Sequence, residues 1–358
     1  MAHEHQERYS KLVLAKIRKD LVLKDGIVFN NDYEGDPKAG AVKIPSRDAE
    51  VAVSDYDKAN GITATHGATS YITLPINKDK AVNEIIDGYD AAAVPDNLVA
   101  DRLDSAAYSL ANQIDTDGAT TLLAAATVTN SDSITQENVY AKCVDLRTAM
   151  SKANIPLTGR YLLVTPDFYA LILKAPEFIK ASNLGDEVVQ SGALGRIAGF
   201  TVYEWNDATA NLQAIAGHPR FATRVNEWSV PVKVQALDGS GKYIGASAVQ
   251  GRFIYAHKVL RSVAIHALYA PGSLVITAAQ GATEGTTKLT VTGGSGTLKY
   301  TKAPASRAVY DSAYTGTALT SGTTEITVSA GDVIEVVDLV SSKVAKVGYI
   351  TIEASQIK

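Results

Sequence analysis

The chain has 358 residues, of which 46% are hydrophobic and 20% are charged, and its formal net charge is -4. This length allows two domains, or one domain with large extensions, while no apolar run approaches the roughly 20 residues of a membrane-spanning helix. The mild acidity and the interleaving of both charge signs argue against a nucleic-acid reader, which needs clustered lysines and arginines.

Residues 1–35 are predicted to form an N-terminal arm with one short amphipathic helix. Its apolar residues recur at three-to-four spacing, at Leu12, Val13, Ile17 and Leu21, and Gly26 marks its expected end. The basic residues of this segment are diluted by Asp20 and Asp25 and favour a solvated helix face; they are Lys16, Arg18, Lys19 and Lys24. Such a helix has no core of its own and must lie on another surface.

Residues 36–80 are predicted to form a long β-hairpin. Apolar residues alternate with polar ones at Val42 and Ile44 and again at Val51 and Val53, and Asn60-Gly61 is a strong turn signal. The return strand spans residues 71–76. An isolated hairpin is marginal in water, so its apolar face is expected to lie on a neighbouring subunit. The predicted contact residues between subunits are Leu12, Ile17, Leu21, Val42, Ile44, Ile72, Leu74 and Ile76.

Residues 81–132 are predicted to carry a long helix that begins near Pro95 and Asp96. One apolar stripe supports it, formed by Val99, Leu103, Ala106, Ala107, Leu110 and Ile114. Continued through Gly118 to Ala125, the helix has about 30 residues and a length of about 45 Å.

Residues 133–270 are predicted to form a compact α/β unit. A first helix carries Val139, Cys143, Leu146 and Met150 on one face. A strand at residues 161–164 leads through Thr165-Pro166-Asp167, a helix-start signal, into a helix at 168–173. A strand is predicted at 200–203, and strands around 231–237 and 252–268 are expected to complete a sheet, so that residues 133–270 comprise an axial domain and closing peripheral strands. Residues 271–358 are rich in Thr, Gly, Ser and Val and predict an immunoglobulin-like β-sandwich. Turn signals separate its short strand candidates, at residues 274–277, 288–291, 325–328, 333–337 and 344–352.

No motif for catalysis, cofactor binding or metal binding is recognised, and no cofactor is expected. The only cysteine, Cys143, lies on an apolar helix face and is predicted to be a core residue. His257 and His266 are interpreted as polar or packing residues, and the pair Asp115 and Asp117 as part of a solvated acidic face.

The order of these parts resembles the major capsid proteins of tailed bacteriophages, which share the Hong Kong phage fold. The segments that carry the resemblance are Thr73–Lys80, Ile85–Asp87, Ala111–Asp115, Gly159–Tyr169, Ser191–Tyr203, Ala216–Ala222 and Gly251–Leu268. The resemblance covers about residues 1–270. It implies an α+β fold with an N-terminal arm, an extended hairpin loop, a spine helix in a peripheral domain and an α/β axial domain. The C-terminal β-sandwich lies outside it, and related coat proteins imply an outward-facing ornament.

The resemblance also implies a structural protein of the virion and not an enzyme. Copies of the chain would form hexamers and pentamers of an icosahedral shell around double-stranded DNA, which they would contact weakly and without sequence specificity. A separate scaffolding protein and a portal are expected partners, assembly is expected in the host bacterial cytoplasm, and no large N-terminal piece is expected to be removed. Two alternatives remain open: another virion protein of the tail tube or decoration class, and a soluble α/β enzyme with a carbohydrate-binding β-domain.

Overall fold

The structure, a computed structural model, describes residues 16, 18–33, 40–46, 50, 51, 53–62, 67, 69–93, 98–176, 195–238 and 241–358. Its helices and strands, in chain order, are β1 (Ala41–Ser46), β2 (Ser70–Pro75), β3 (Lys78–Asp87), α1 (Gly88–Ala93), α2 (Leu98–Ala125), β4 (Thr127–Asn130), α3 (Val139–Lys152), β5 (Tyr161–Val164), α4 (Pro166–Lys174), β6 (Arg196–Ile197), β7 (Phe200–Glu204), β8 (Leu212–Gly217), β9 (Ala222–Ala236), β10 (Ala246–Val259), β11 (His266–Tyr269), β12 (Gly272–Ser273), β13 (Val275–Gln280), β14 (Thr286–Thr292), β15 (Thr297–Lys302), β16 (Thr317–Ala318), β17 (Glu325–Thr327), β18 (Val333–Val340) and β19 (Lys343–Thr351).

The chain forms two compact units, each built from two separate stretches of sequence. Unit 1 consists of Met1–Ala125 and Pro219–Ser262, and unit 2 consists of Ala126–His218 and Val263–Lys358. Both units therefore depend on chain segments that are far apart in sequence.

Unit 1 is organised around α2 and a three-stranded antiparallel sheet in the order β3-β10-β9. The 28-residue helix has a length of about 42 Å. Ala106 of α2 packs with Ile86 of β3 and Val249 of β10 in one buried cluster. The predicted end of the helix at Ala125 is confirmed, whereas its predicted start at residues 95 and 96 lies outside the described residues. Ala107, predicted on the apolar stripe, is exposed.

The predicted hairpin is present at its base but not along its full length. Strands β1 and β2 pair antiparallel, from Ala41 opposite Pro75 to Ser46 opposite Ser70. The strand predicted around Val51 and Val53 is wrong, because both residues are exposed and lie outside any strand.

The arm helix is wrong over residues 18–24, which have no helical structure. Their backbone groups bond instead to side chains of α2: the amide of Leu23 donates to Asp115 at 2.9 Å, and the Tyr108 hydroxyl donates to the carbonyl of Lys19 at 3.1 Å. Of the predicted arm contacts, Leu12 and Ile17 lie outside the described residues, and Leu21 is half-buried.

The predicted span 133–270 is divided between the two units. Strands β9 and β10, the closing peripheral strands of that span, pair with each other and with β3 in unit 1. Strand β11, at the end of the predicted span, joins the sheet of unit 2 together with β5, β6, β7 and β8, and β4 joins that sheet from the preceding predicted domain. The division into units follows strand pairing between distant segments, because β3 and β10 are more than a hundred residues apart in the sequence.

The axial part of unit 2 has a six-stranded mixed sheet in the order β4-β11-β8-β5-β7-β6. The predicted apolar face of α3 is confirmed, since Val139, Cys143, Leu146 and Met150 are all buried. The start of α4 is confirmed too: the Thr165 side chain caps it by accepting the amide of Phe168, and Pro166 is its first residue.

Residues 271–358 form two sheets, β12-β19-β18-β15-β16 and β13-β14-β17. Leu289 of the smaller sheet and Ile334 and Val336 of the larger sheet share one buried cluster. The predicted β-sandwich is therefore present, while its immunoglobulin-like character remains a prediction. Strands β15 and β16 were missed.

Candidate subunit-contact surface and arm anchor

The base of the hairpin buries its apolar face inside its own chain. Ile44 and Leu74 are 3% and 1% exposed and pack with Val225 of β9 and Ala256 of β10. Val42, Ile72 and Ile76 are half-buried and pack against the same cluster. The prediction that Ile44 and Leu74 contact a neighbouring subunit is wrong, because strands that arrive late in the sequence already cover them.

The far part of the hairpin has the opposite character. We call the described residues among 50–62, together with Tyr71, the distal ribbon. Its large apolar side chains are largely exposed, and Val53 reaches 98% exposure; the others are Val51, Tyr56, Ile62 and Tyr71. Exposed apolar groups concentrated on one projecting segment are typical of a protein–protein contact.

The distal ribbon contains a preformed turn. The Asp57 carboxylate accepts the backbone amide of Ala59 and the side-chain amide of Asn60, and the amide of Gly61 donates to the carbonyl of Asp57 at 2.8 Å. Hydrogen bonds from Ala59 and then from Asn60 lower the pKa of Asp57. Gly61 has φ of +71°, which explains why the predicted Asn60-Gly61 turn needs a glycine there. The turn limits the conformational entropy that the ribbon loses on binding.

The arm is anchored to the spine helix α2 at residues 23–29. Besides the bond from Leu23 to Asp115, Arg224 donates to the carbonyl of Leu23 at 2.6 Å and lies 3.2 Å from the Asp25 carboxylate. The Phe29 ring packs where α2 has Gly118, since a Cβ atom there would lie 3.0 Å from the ring. That close approach explains a glycine in the middle of the long helix.

A buried polar network lies behind this anchor. Tyr255 donates to Asp117 at 2.7 Å, and Arg224 donates from Nε to Nε2 of His257 at 2.9 Å. Burial first, and then the Arg224 charge, lower the pKa of His257 to about 3, so its ring is neutral and accepts this bond. The interpretation of Asp115 and Asp117 as a solvated acidic face is wrong, because both are buried.

The arm continues along α2 through ion pairs. Lys16 lies 2.7 Å from Asp101, Arg18 lies 2.5 Å from Asp104, and Lys19 lies 4.0 Å from Asp115. The Arg18 guanidinium also lies 4.8 Å from the centre of the Tyr108 ring. Lys16, Arg18 and Lys19 are therefore each matched by an acidic residue of the helix. Sequence reasoning missed this pairing, although Asp101 and Asp104 share the spacing of one helix face.

Among the described residues, no group of three or more His, Cys, Asp or Glu side chains is placed to hold a metal ion. Cys143 is buried, as predicted, and burial raises the pKa of its thiol to about 12. Over the same ranges, every helix is too short or too polar to cross a membrane.

Comparisons with known proteins agree with this architecture. The sequence profile of a family described as phage capsid protein matches residues 84–268, which is more than half of the chain. No curated protein matches the sequence.

Solved phage structures share the fold. A structure from Mycobacterium phage Che8 is 21% identical, with a TM-score of 0.63 over 74% of this chain and 96% of that one. The capsid structure of cyanophage P-SCSP1u is 14% identical, with a TM-score of 0.62 over 74% and 92% of the two chains. The mature capsid of bacteriophage PhiM1 is 13% identical, with a TM-score of 0.60 over the same shares.

These likenesses confirm the α+β capsid fold that the order of elements predicted. Because the family profile covers the spine helix, the axial sheet and the strands that return to the spine helix, the chain belongs to the phage capsid protein family and is a structural protein of the phage head.

Proposed function

We propose that copies of this chain form hexamers and pentamers that close into an icosahedral shell around double-stranded DNA, with the distal ribbon of each subunit packed on a neighbouring subunit. The observation that carries the proposal is the exposure of Val51, Val53, Tyr56, Ile62 and Tyr71 in the distal ribbon, in contrast to the buried Ile44 and Leu74 of the hairpin base.

A ring of identical subunits uses contacts that close by rotation, so each subunit gives one surface and receives another. In this arrangement the distal ribbon is the donated surface. Each contact is modest, and the shell is stable because many contacts form together.

The further partners belong to the same proposal. A separate scaffolding protein and a portal guide assembly in the host bacterial cytoplasm, and packaged DNA is contacted weakly. The acidic net charge of -4 and the pairing of the arm's basic residues with Asp101, Asp104 and Asp115 support weak DNA contact.

The double variant Val51→Asp/Val53→Asp tests the ribbon contact. A fully buried valine contributes about 1.5–3 kcal/mol, so losing two should weaken association by at least about tenfold. Sedimentation velocity over a range of protein concentrations, with negative-stain microscopy, measures association. The matched control is Val275→Asp on the β-sandwich, a valine that is 64% exposed against 69% for Val51.

We expect the double variant to fold normally and stay largely monomeric, while the control assembles like the unmodified chain. Equal assembly of the double variant and the unmodified chain would overturn the ribbon contact. An unmodified chain that stays monomeric at every concentration, with a photocrosslinker at Val53 joining no second copy, would overturn the capsomer proposal.

A further inference from the structure

The C-terminal β-sandwich joins the axial sheet through a connection with almost no free length. Strand β11 ends at Tyr269 in the axial sheet, and β12 begins at Gly272 in the sandwich, where it pairs with β19. Of the two residues between them, Ala270 is buried and donates its amide to the carbonyl of Asn211 at 3.1 Å, and Pro271 has a fixed φ. A flexible tether would need solvated backbone at this point.

Gly272 lies between residues of the two parts. A Cβ atom on Gly272 would lie 3.2 Å from the side-chain oxygen of Asn211 and 3.2 Å from Cγ of Lys346. Asn211 belongs to the axial part and Lys346 to β19 of the sandwich. The two parts therefore meet at a residue that has no room for a side chain.

A second contact comes from a distant part of the sandwich. Tyr310 lies in the segment between β15 and β16, residues 303–316, and its ring stacks on Tyr269 with a centroid distance of 5.8 Å and an interplanar angle of 13°. The amide of Tyr310 also donates to the carbonyl of Ser131, next to β4, at 2.9 Å. Two attachment points separated in the chain prevent rotation about the connection, which a single point would allow.

A buried carboxylate holds the 303–316 segment in position. Glu335 of β18 is 0% exposed and accepts the amide of Ala308 at 2.8 Å and the Tyr314 hydroxyl at 3.0 Å. It also accepts the hydroxyl of Tyr349 at 2.8 Å. Burial, together with the Glu335 charge, raises the pKa of Tyr314 to about 12, so this hydroxyl keeps its proton and remains a donor. Ala308 and Tyr314 lie on either side of Tyr310.

We propose that the C-terminal sandwich is a fixed structural part of unit 2, clamped to the axial sheet through Tyr310, and that Glu335 is the positioning residue of the clamp. The sandwich is then a rigid extension and not an ornament on a flexible link. A load on the sandwich passes directly to the axial sheet.

Hydrogen exchange of the full-length chain tests the clamp, because the amides of Ala270 and Tyr310 are the donors across the junction. In the unmodified chain both should be protected. Glu335→Gln should accelerate exchange at both amides by about tenfold or more, because the charged acceptor of three donors is lost.

The matched control is Asp338→Asn on the same strand. Asp338 is also 0% exposed and accepts backbone amides, but those of Ser295 and Gly296 and not that of Ala308 in the 303–316 segment. It should accelerate exchange at residues 295 and 296 and leave Ala270 and Tyr310 protected. Free-peptide exchange at both junction amides of the unmodified chain would overturn the clamp.

Unchanged exchange at Tyr310 in Glu335→Gln would overturn the role of Glu335. If that variant does not fold, Tyr310→Ala leaves Glu335 and its three donors intact and removes the stack on Tyr269. If the clamp exists, Tyr310→Ala should speed hydrogen exchange at Ala270 and at no other amide of the axial part. An exchange rate at Ala270 equal to that of the unmodified chain would contradict the clamp.

Discussion

At the scale of single residues, unit 1 depends on charged groups that are buried and matched. Arg224 bonds to the carbonyl of Leu23, to Asp25 and to His257, so it joins the arm, β9 and β10 through one side chain. A guanidinium has five donors in a rigid plane, which suits three acceptors better than a lysine ammonium would. Removing either Arg224 or one of its acceptors leaves a buried polar group without a partner, which is costly.

His257 gives this network a defined response to acid. Its pKa is about 3 in the folded chain, against 6.5 in the unfolded chain, so the unfolded state binds more protons between these values. Stability should therefore fall as pH falls through this window, by up to about 1.4 kcal/mol per pH unit. Burial, Arg224 and Lys78 lower this pKa, while Asp117 raises it.

The variant His257→Gln keeps an acceptor for Arg224 but does not titrate. The slope of its unfolding free energy against pH, measured by urea denaturation of the unassembled chain from about pH 6.5 to about pH 4, should be smaller by up to one proton. A slope identical to that of the unmodified chain would show that His257 is protonated equally in both states.

At the scale of elements, the arm has a section held by buried hydrogen bonds and an outer section held by ion pairs. Residues 23–29 are fixed by buried bonds to Asp115 and Arg224, whereas residues 16–19 rely on ion pairs at the surface of α2. Salt screens exposed pairs far more than buried ones. Rising ionic strength should therefore release the outer section from α2 while the buried section stays bound.

Trypsin sites report on this difference. Cleavage after Lys16, Arg18 and Lys19 should become several-fold faster in about 1 M salt than in about 0.01 M salt, relative to a free peptide of the same sequence, while cleavage after Lys24 should change little. Asp101→Asn/Asp104→Asn should give the fast rate already at low salt. The control Arg102→Gln, on the same helix and paired with Glu84, should not.

The elements also show what local sequence patterns contain. Leu98–Ala125, the α3 face and the start at Thr165-Pro166 follow from spacing within one helix and were predicted. The non-helical conformation of residues 18–24 was not predicted, because the partners of their backbone groups, such as Asp115, lie about ninety residues away. For the same reason the predicted contacts Ile44 and Leu74 proved internal: Val225 and Ala256, which cover them, follow far along the chain.

At the scale of the whole molecule, unit 1 is completed only by its second stretch of sequence. Strand β10 is the central strand of its sheet, and α2 packs against it. A fragment of residues 1–218 contains the entire spine helix but neither β9 nor β10. It should therefore lack cooperative thermal unfolding of unit 1, measured by circular dichroism.

The matched fragment, residues 1–262, restores both stretches of unit 1 and should regain one cooperative transition. The comparison separates a missing partner from a merely shortened chain, because both fragments lack the sandwich and β11. Similar sharp transitions in the two fragments would mean that α2 finds its stability without β10.

The late position of β10 has a consequence for timing during synthesis. While a ribosome is still translating the first two thirds of the message, the growing polypeptide displays a spine helix with nothing beneath it, and the ribbon has no firm base from which to project. Unit 1 can therefore complete its sheet only after residue 259 has been synthesised.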